Sequence, residues 1–129
     1  MGSHEEDTMN YGEMSDVDIA VLVGKHVSKD GQSLVGITGK ACIHEYAPSV
    51  GNFGEMCLGW REFDPCNSWA EAGPIILANK ITISAPMEYD QPYEWLAYPS
   101  SDSDICVSHP NPLRAAMTAF LMMQEQSNA

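Results

Sequence analysis

The chain has 129 residues, 44% of them apolar and 19% charged, with 18 acidic against 6 basic side chains and a formal net charge of −12. That length is one domain with room for a real core, and the composition excludes a disordered or fibrous chain. The acidic balance repels phosphate backbones, so direct nucleic-acid binding is not expected.

"MGSH" reads as a cloning scar, so residues 1–8 are set apart as scar or disordered N-terminus and 9–129 are read as the single domain. Dropping Glu5, Glu6 and Asp7 with them leaves the rest acidic. Cys42, Cys57, Cys66 and Cys106 are even in number, yet a chain of this size without a secretory apolar segment needs no disulfide staples, and reduced thiols are expected. The apolar run at 115–123 is far shorter than the ~20 residues of a membrane span. A soluble intracellular protein, away from membranes, is the expectation.

In chain order, "MSDVDIAVLVGKHV" predicts a helix over Asp16–Val27, opened by a Ser15/Asp18 capping box with Ile19, Leu22 and Val23 on one face. The glycines of 29–39 predict a loop or hairpin start, and "KACIHEY" alternates as a strand. Residues 47–66 read as a long Gly- and Pro-rich loop carrying Phe53, Met56, Trp60 and Phe63, part of which, "EMCLGWREF", suits a strand. Ser68 and Glu71 fit S-x-x-E, which starts a helix at Trp69. Pro74 lies inside it, so a short kinked helix over 69–78 is expected, or a turn with a helix from Pro74, and Asn79 suits the left-handed stop. "KITISAP", "EWLAYP" and "DICVSH" read as short antiparallel strands. Asn111 as N-cap and Pro112 at the first helical position open a last helix with Leu113, Ala116, Met117, Phe120 and Leu121 on one stripe. The sum is an α+β domain: an antiparallel sheet of three or four strands covered by an N-terminal helix, a kinked middle helix and a C-terminal helix.

Catalytic and metal signals are sparse. Cys42 and His44 share a strand face at i, i+2, without a second pair at zinc spacing. Cys66 precedes a helix N-terminus, where the helix dipole favours thiolate, although a structural thiol explains it equally. "GQSLVGITGK" lacks the strand-then-helix context of a phosphate loop, and Glu88/Asp90 and Asp102/Asp104 read as solvated charges. No catalytic residue, metal or cofactor is assigned. The binding candidates are Tyr46, Trp69, Gly73, Pro74 and Arg114. Trp69 beside free helix-end N–H groups, with Tyr46, could hold an anionic or planar ligand or a partner's loop. Arg114 opposes the dipole of its helix in the first turn, which predicts a specific partner, an internal carboxylate before an external ligand.

"MSDVDIAVLVGKHV", "FDPCNSWAEAGPIILANKITIS" and "NPLRAAMTAFLMMQ" resemble, in order and spacing, segments of the NinX-like proteins of temperate phages and prophages of enteric bacteria. The resemblance runs from about Asn10 onward, with "GPII" and "NPLRAAM" its most specific pieces, and a weaker similarity extends to small phage α-β-α sandwich domains. It implies a small accessory phage protein acting in the cytoplasm of the bacterial host and names no substrate. The expected function is therefore a non-enzymatic binder of a host or phage macromolecule, acting in counter-defence or in tuning infection. The alternative is a protein that sequesters a nucleotide-like molecule through Tyr46, Trp69 and Arg114. Self-association is left open by the apolar residues of 47–66.

Overall fold

The computed structural model describes residues 10–48, 51, 54–87, 93–99 and 104–127. After a 3-10 turn at Tyr11–Glu13, the elements are α1 (Asp16–Val27), β1 (Ser33–Val35), β2 (Ala41–Ala47), β3 (Met56–Glu62), α2 (Trp69–Asn79), β4 (Ile81–Ser84), β5 (Trp95–Pro99), β6 (Val107–His109) and α3 (Pro112–Ser127). The α+β class is as expected. The strands, however, form two three-stranded antiparallel sheets, β1-β2-β3 and β4-β5-β6, in place of one sheet of three or four strands. The difference arises because the 29–39 stretch supplies β1 beside β2 and the expected strand in "EMCLGWREF", here β3, giving the first half of the chain a sheet of its own.

Local chemistry sets the helix starts. Ser15 Oγ accepts from the Asp18 N–H while an Asp18 carboxylate oxygen accepts from the Ser15 N–H, so two otherwise unpaired donors are satisfied at the head of α1. Ser68 caps α2 by accepting from the Glu71 N–H. Asn111 Oδ1 caps α3, accepting from the Leu113 N–H at 2.9 Å, and its amide donates to Cys66 O at 2.8 Å. One side chain thus starts α3 and ties it to the segment before α2.

The middle helix runs unbroken through Pro74, one residue beyond the expected end. Pro74 and Ala70 are both exposed, so the Ala70 carbonyl that loses its N–H donor faces water. The left-handed stop falls on Lys80 (φ 55°, ψ 47°) and not on Asn79. Asn79 instead donates its side-chain amide to Ile75 O at 2.8 Å, which satisfies a last-turn carbonyl and carries the helix past it.

Burial shows which element is central. Every residue from Leu113 to Leu121 is buried, although one apolar stripe was expected. A helix buried on all sides must be surrounded, and α3 packs on α1, on α2 and on all three strands of the second sheet. Ile19 and Val23 of α1, Ala72 and Ile75 of α2, and Ile81 and Ala97 of the second sheet join Met117 and Phe120 in one core. The proline-containing helix and the last helix therefore share a hydrophobic layer over β4.

The other side of α1 covers the first sheet. Close approach there depends on Gly24: a Cβ at that position would lie 2.5 Å from Ser33 Oγ and 2.9 Å from Ile43 Cγ2. Ile43 and its neighbours at even spacing face the helix, and the alternate residues Cys42, His44 and Tyr46 face away.

Candidate functional site

The face of the first sheet that points away from α1 holds the richest chemistry among the described residues. Strand register sets Cys42 opposite Leu34 and Glu62, His44 opposite Trp60, and Tyr46 opposite Cys57. His44 stacks on the Trp60 indole with ring centroids 3.6 Å apart. From the turn after α1, Asp30 accepts from His44 Nδ1 and, at 3.2 Å, from the Tyr46 hydroxyl. The hydrogen bond from His44 holds the Asp30 carboxyl below its ordinary value, partial desolvation works against it, and the Gln32 N–H and Tyr46 hydroxyl add to the lowering. Tyr46 is pushed the other way, first by desolvation and then by its bond to the Asp30 carboxylate. Lys29 lies over the Tyr46 ring at 5.5 Å and pairs with Glu55.

Beside this network runs a groove of about 440 Å³ whose lining includes Leu34, Val35, Ile37, Cys42, Trp60 and Glu62. Antiparallel sheets with one open face usually alternate apolar-in and polar-out. Here the open face presents Leu34 and Trp60 at 42% and 43% exposure, with Ile37 wholly exposed in the following turn. In β3 the pairing skips Leu58, so that Glu45 opposes Gly59 and Tyr46 opposes Cys57, and this irregularity leaves Met56 and Leu58 facing solvent too.

The five residues singled out in the sequence fall in three places. Tyr46 belongs to the Asp30 network. Trp69, Gly73 and Pro74 lie together on the outward side of α2, with Trp69 and Pro74 exposed. Arg114 is buried, its guanidinium donating to Asp16 Oδ1, Tyr11 O and Met14 O, each at 2.7 Å. Its internal carboxylate is therefore Asp16, and two backbone carbonyls complete the set. Neither the groove nor a second cleft of about 190 Å³, lined by Asp16, Lys40, Glu62, Asp64 and Asn67 among others, includes any of the five. Trp69, Tyr46 and Arg114 thus do not share either cleft. Phe53, Glu88, Asp90 and Asp102 lie outside the described residues.

The thiols are placed as follows. Burial, and next the Asp16 charge, push the Cys66 thiol up to about 12, outweighing any lowering by the nearby helix end. It donates to Asp16 O and is fully buried, the opposite of an activated nucleophile. Cys42 is buried and donates to Lys40 O, while its neighbour on the strand face, His44, is engaged by Asp30. Among the described residues no group of three or more His, Cys, Asp and Glu side chains is placed to hold a metal ion.

Asp30 and the His44–Trp60 stack were not singled out from the sequence. Asp-Gly in "KDGQS" does mark a turn, and Asp30 accepts from the Gln32 N–H at 3.0 Å as such turn residues do. The stack depends on the register between two strands, which no local signal encodes.

Two antiparallel sheets with helices packed between and beside them, one sheet face left open, define an α+β domain. The chain belongs to the phage protein family described as Bacteriophage P22, NinX, whose family model matches residues 10–124. No curated protein matches it. Among the described residues no helix is long and apolar enough to cross a membrane.

Proposed function

We propose that this phage-family protein is a non-enzymatic binder that holds a host or phage protein against the open face of its first sheet. The observation that carries the reading is the exposure of Leu34 and Trp60 on a sheet face that water-facing chemistry would make polar, with Ile37 exposed beside it. Contact with a second surface removes those side chains from water, worth roughly 25 cal/mol for each Å² of apolar area covered.

Charge defines the partner further. Asp30, Glu55 and Glu62 stand beside this face, paired with His44, Lys29 and Lys40 in turn, and the chain as a whole has a net charge of −12. The complementary surface is apolar at its centre and basic around it, a pattern that also speeds encounter. Such a contact would let a small phage protein occlude a working surface of a host protein, which is the counter-defence role expected from the sequence.

Affinity capture from bacterial lysate tests this with three matched baits. The wild-type chain should recover a defined protein. Ile37→Asp combined with Trp60→Ser should lose it, and Leu77→Glu, on the outward side of α2, should keep it. Nothing above background with the wild-type bait, or equal recovery by the sheet variant, contradicts the reading.

A further inference from the structure

Leu34, Cys42 and Glu62 stand in register across the three strands of the first sheet, and Trp60 projects from the same face of β3, two residues from Glu62. The groove of about 440 Å³ crosses this row, with the exposed Ile37 at its side. Among the described residues that line it, Glu62 is the one charged side chain.

The cation paired with Glu62 among the described residues is Lys40, at 3.7 Å. That is longer than a hydrogen bond, and both side chains are more than half exposed, so the carboxylate depends on solvent. A protein laid over this face removes the solvent and leaves Glu62 without a close donor, which is costly for a charge. The partner must therefore bring a donor of its own, and that donor must reach the carboxylate past Leu34 and Ile37 and beside an indole. His44 stacks on Trp60 at 3.6 Å yet does not line the groove, so the indole is held from one side and open to the groove on another. An arginine side chain meets all of these conditions. Its aliphatic stem suits the apolar wall, its planar head lies on an aromatic ring, and its fork of N–H donors matches a carboxylate. Lysine supplies a stem and a charge, but neither the plane nor the fork. A net charge of −12 favours a cationic partner in addition.

Resting on the reading of the open face as a protein-binding surface, we propose that the groove receives an arginine of the bound protein, its guanidinium between the Trp60 indole and the Glu62 carboxylate. Glu62 exchanges Lys40 for the incoming guanidinium. Tryptophan and arginine are the residue types that most often anchor the centre of an interface.

Titration of the full chain with N-acetyl-arginine N-methylamide at about 150 mM salt, followed by NMR, is the test. Shifts should centre on the amides of Leu34, Thr38, Cys42 and Glu62 and on the Trp60 indole N–H, with a dissociation constant of about 5–50 mM. The lysine analogue should bind about threefold more weakly, and the neutral citrulline analogue about tenfold. Glu62→Gln and Trp60→Leu should each weaken the arginine probe about fivefold. Lys40→Ala, which frees the carboxylate, should tighten it about twofold or more. No shift up to about 100 mM probe overturns the proposal. So does equal affinity for the arginine and lysine probes, or indifference to Glu62→Gln, since either reduces binding to a general attraction by the net charge. In lysate capture, Glu62→Gln should recover the wild-type partner poorly. Full recovery by Glu62→Gln, with loss by the Ile37→Asp, Trp60→Ser bait, removes the arginine and leaves the sheet-face contact standing.

Discussion

Arg114→Met should lower the free energy of unfolding by about 3 kcal/mol, measured by urea denaturation followed by circular dichroism. Methionine keeps much of the aliphatic volume, so the loss isolates the guanidinium. That group sits in the first turn of α3, where the helix dipole opposes a cation by up to about 1 kcal/mol. It persists there because its donors reach three oxygens from the start of the chain: the Asp16 carboxylate, which heads α1, and the carbonyls of Tyr11 and Met14. Removing it leaves the Met14 carbonyl without this donor and the Tyr11 carbonyl with the Met14 N–H alone, and it cuts the tie between the 3-10 turn and α3. Charged hydrogen bonds of this kind each contribute roughly 1.5–3 kcal/mol, and relief of the dipole conflict returns only part. Arg114→Lys should recover less than half of the loss, since one ammonium cannot span three acceptors that a planar fork reaches. A change below about 1 kcal/mol would mean that the triad contributes little.

Gly24→Ala should destabilise the chain by about 1–2 kcal/mol, even though alanine is favoured over glycine in a helix by about 1 kcal/mol. The sign follows from contact distances. Ser33 Oγ at 2.5 Å and Ser33 Cβ and Ile43 Cγ2 at 2.9 Å leave no space for a methyl group between α1 and the first sheet. Either the helix lifts away from the sheet or both side chains move, and Ser33 is not free to do so because its hydroxyl donates to Cys42 O. Combining the change with Ser33→Gly removes two of the three close contacts and should restore part of the loss, a coupling that thermal unfolding of the four proteins in the cycle would measure.

Features set by local chemistry were legible in the sequence. The bounds of α1 follow from its capping box, and the start of α3 from Asn111 and Pro112, because each signal lies within four residues of what it controls. The partner expected for Arg114 followed from its conflict with the helix dipole, and Asp16 fills that role, while the two carbonyls are fixed by a turn some hundred positions away in sequence. The surrounded state of α3 had a trace in the sequence, since "AAMTAFLMM" carries no charge on any side. Periodicity alone predicts a stripe there, because alanine and threonine suit either surface or interior. The division into two sheets was not legible. β1 is only three residues long, and β3 shows solvent apolar side chains where alternation would place polar ones. Of the candidate residues, Trp69, Gly73 and Pro74 do occupy one surface, but their separation from Tyr46 and Arg114 is a matter of tertiary placement.

The reading as a whole depends on the first sheet keeping one face open in the single chain. Urea unfolding of the double variant Leu34→Thr, Ile37→Ser, compared with wild type at neutral pH and low micromolar concentration, measures this directly. An open face predicts a change within about 0.5 kcal/mol per substitution, as for surface positions generally. A loss of about 3 kcal/mol or more would show that these side chains are buried by the chain itself, and the proposed binding surface would not exist.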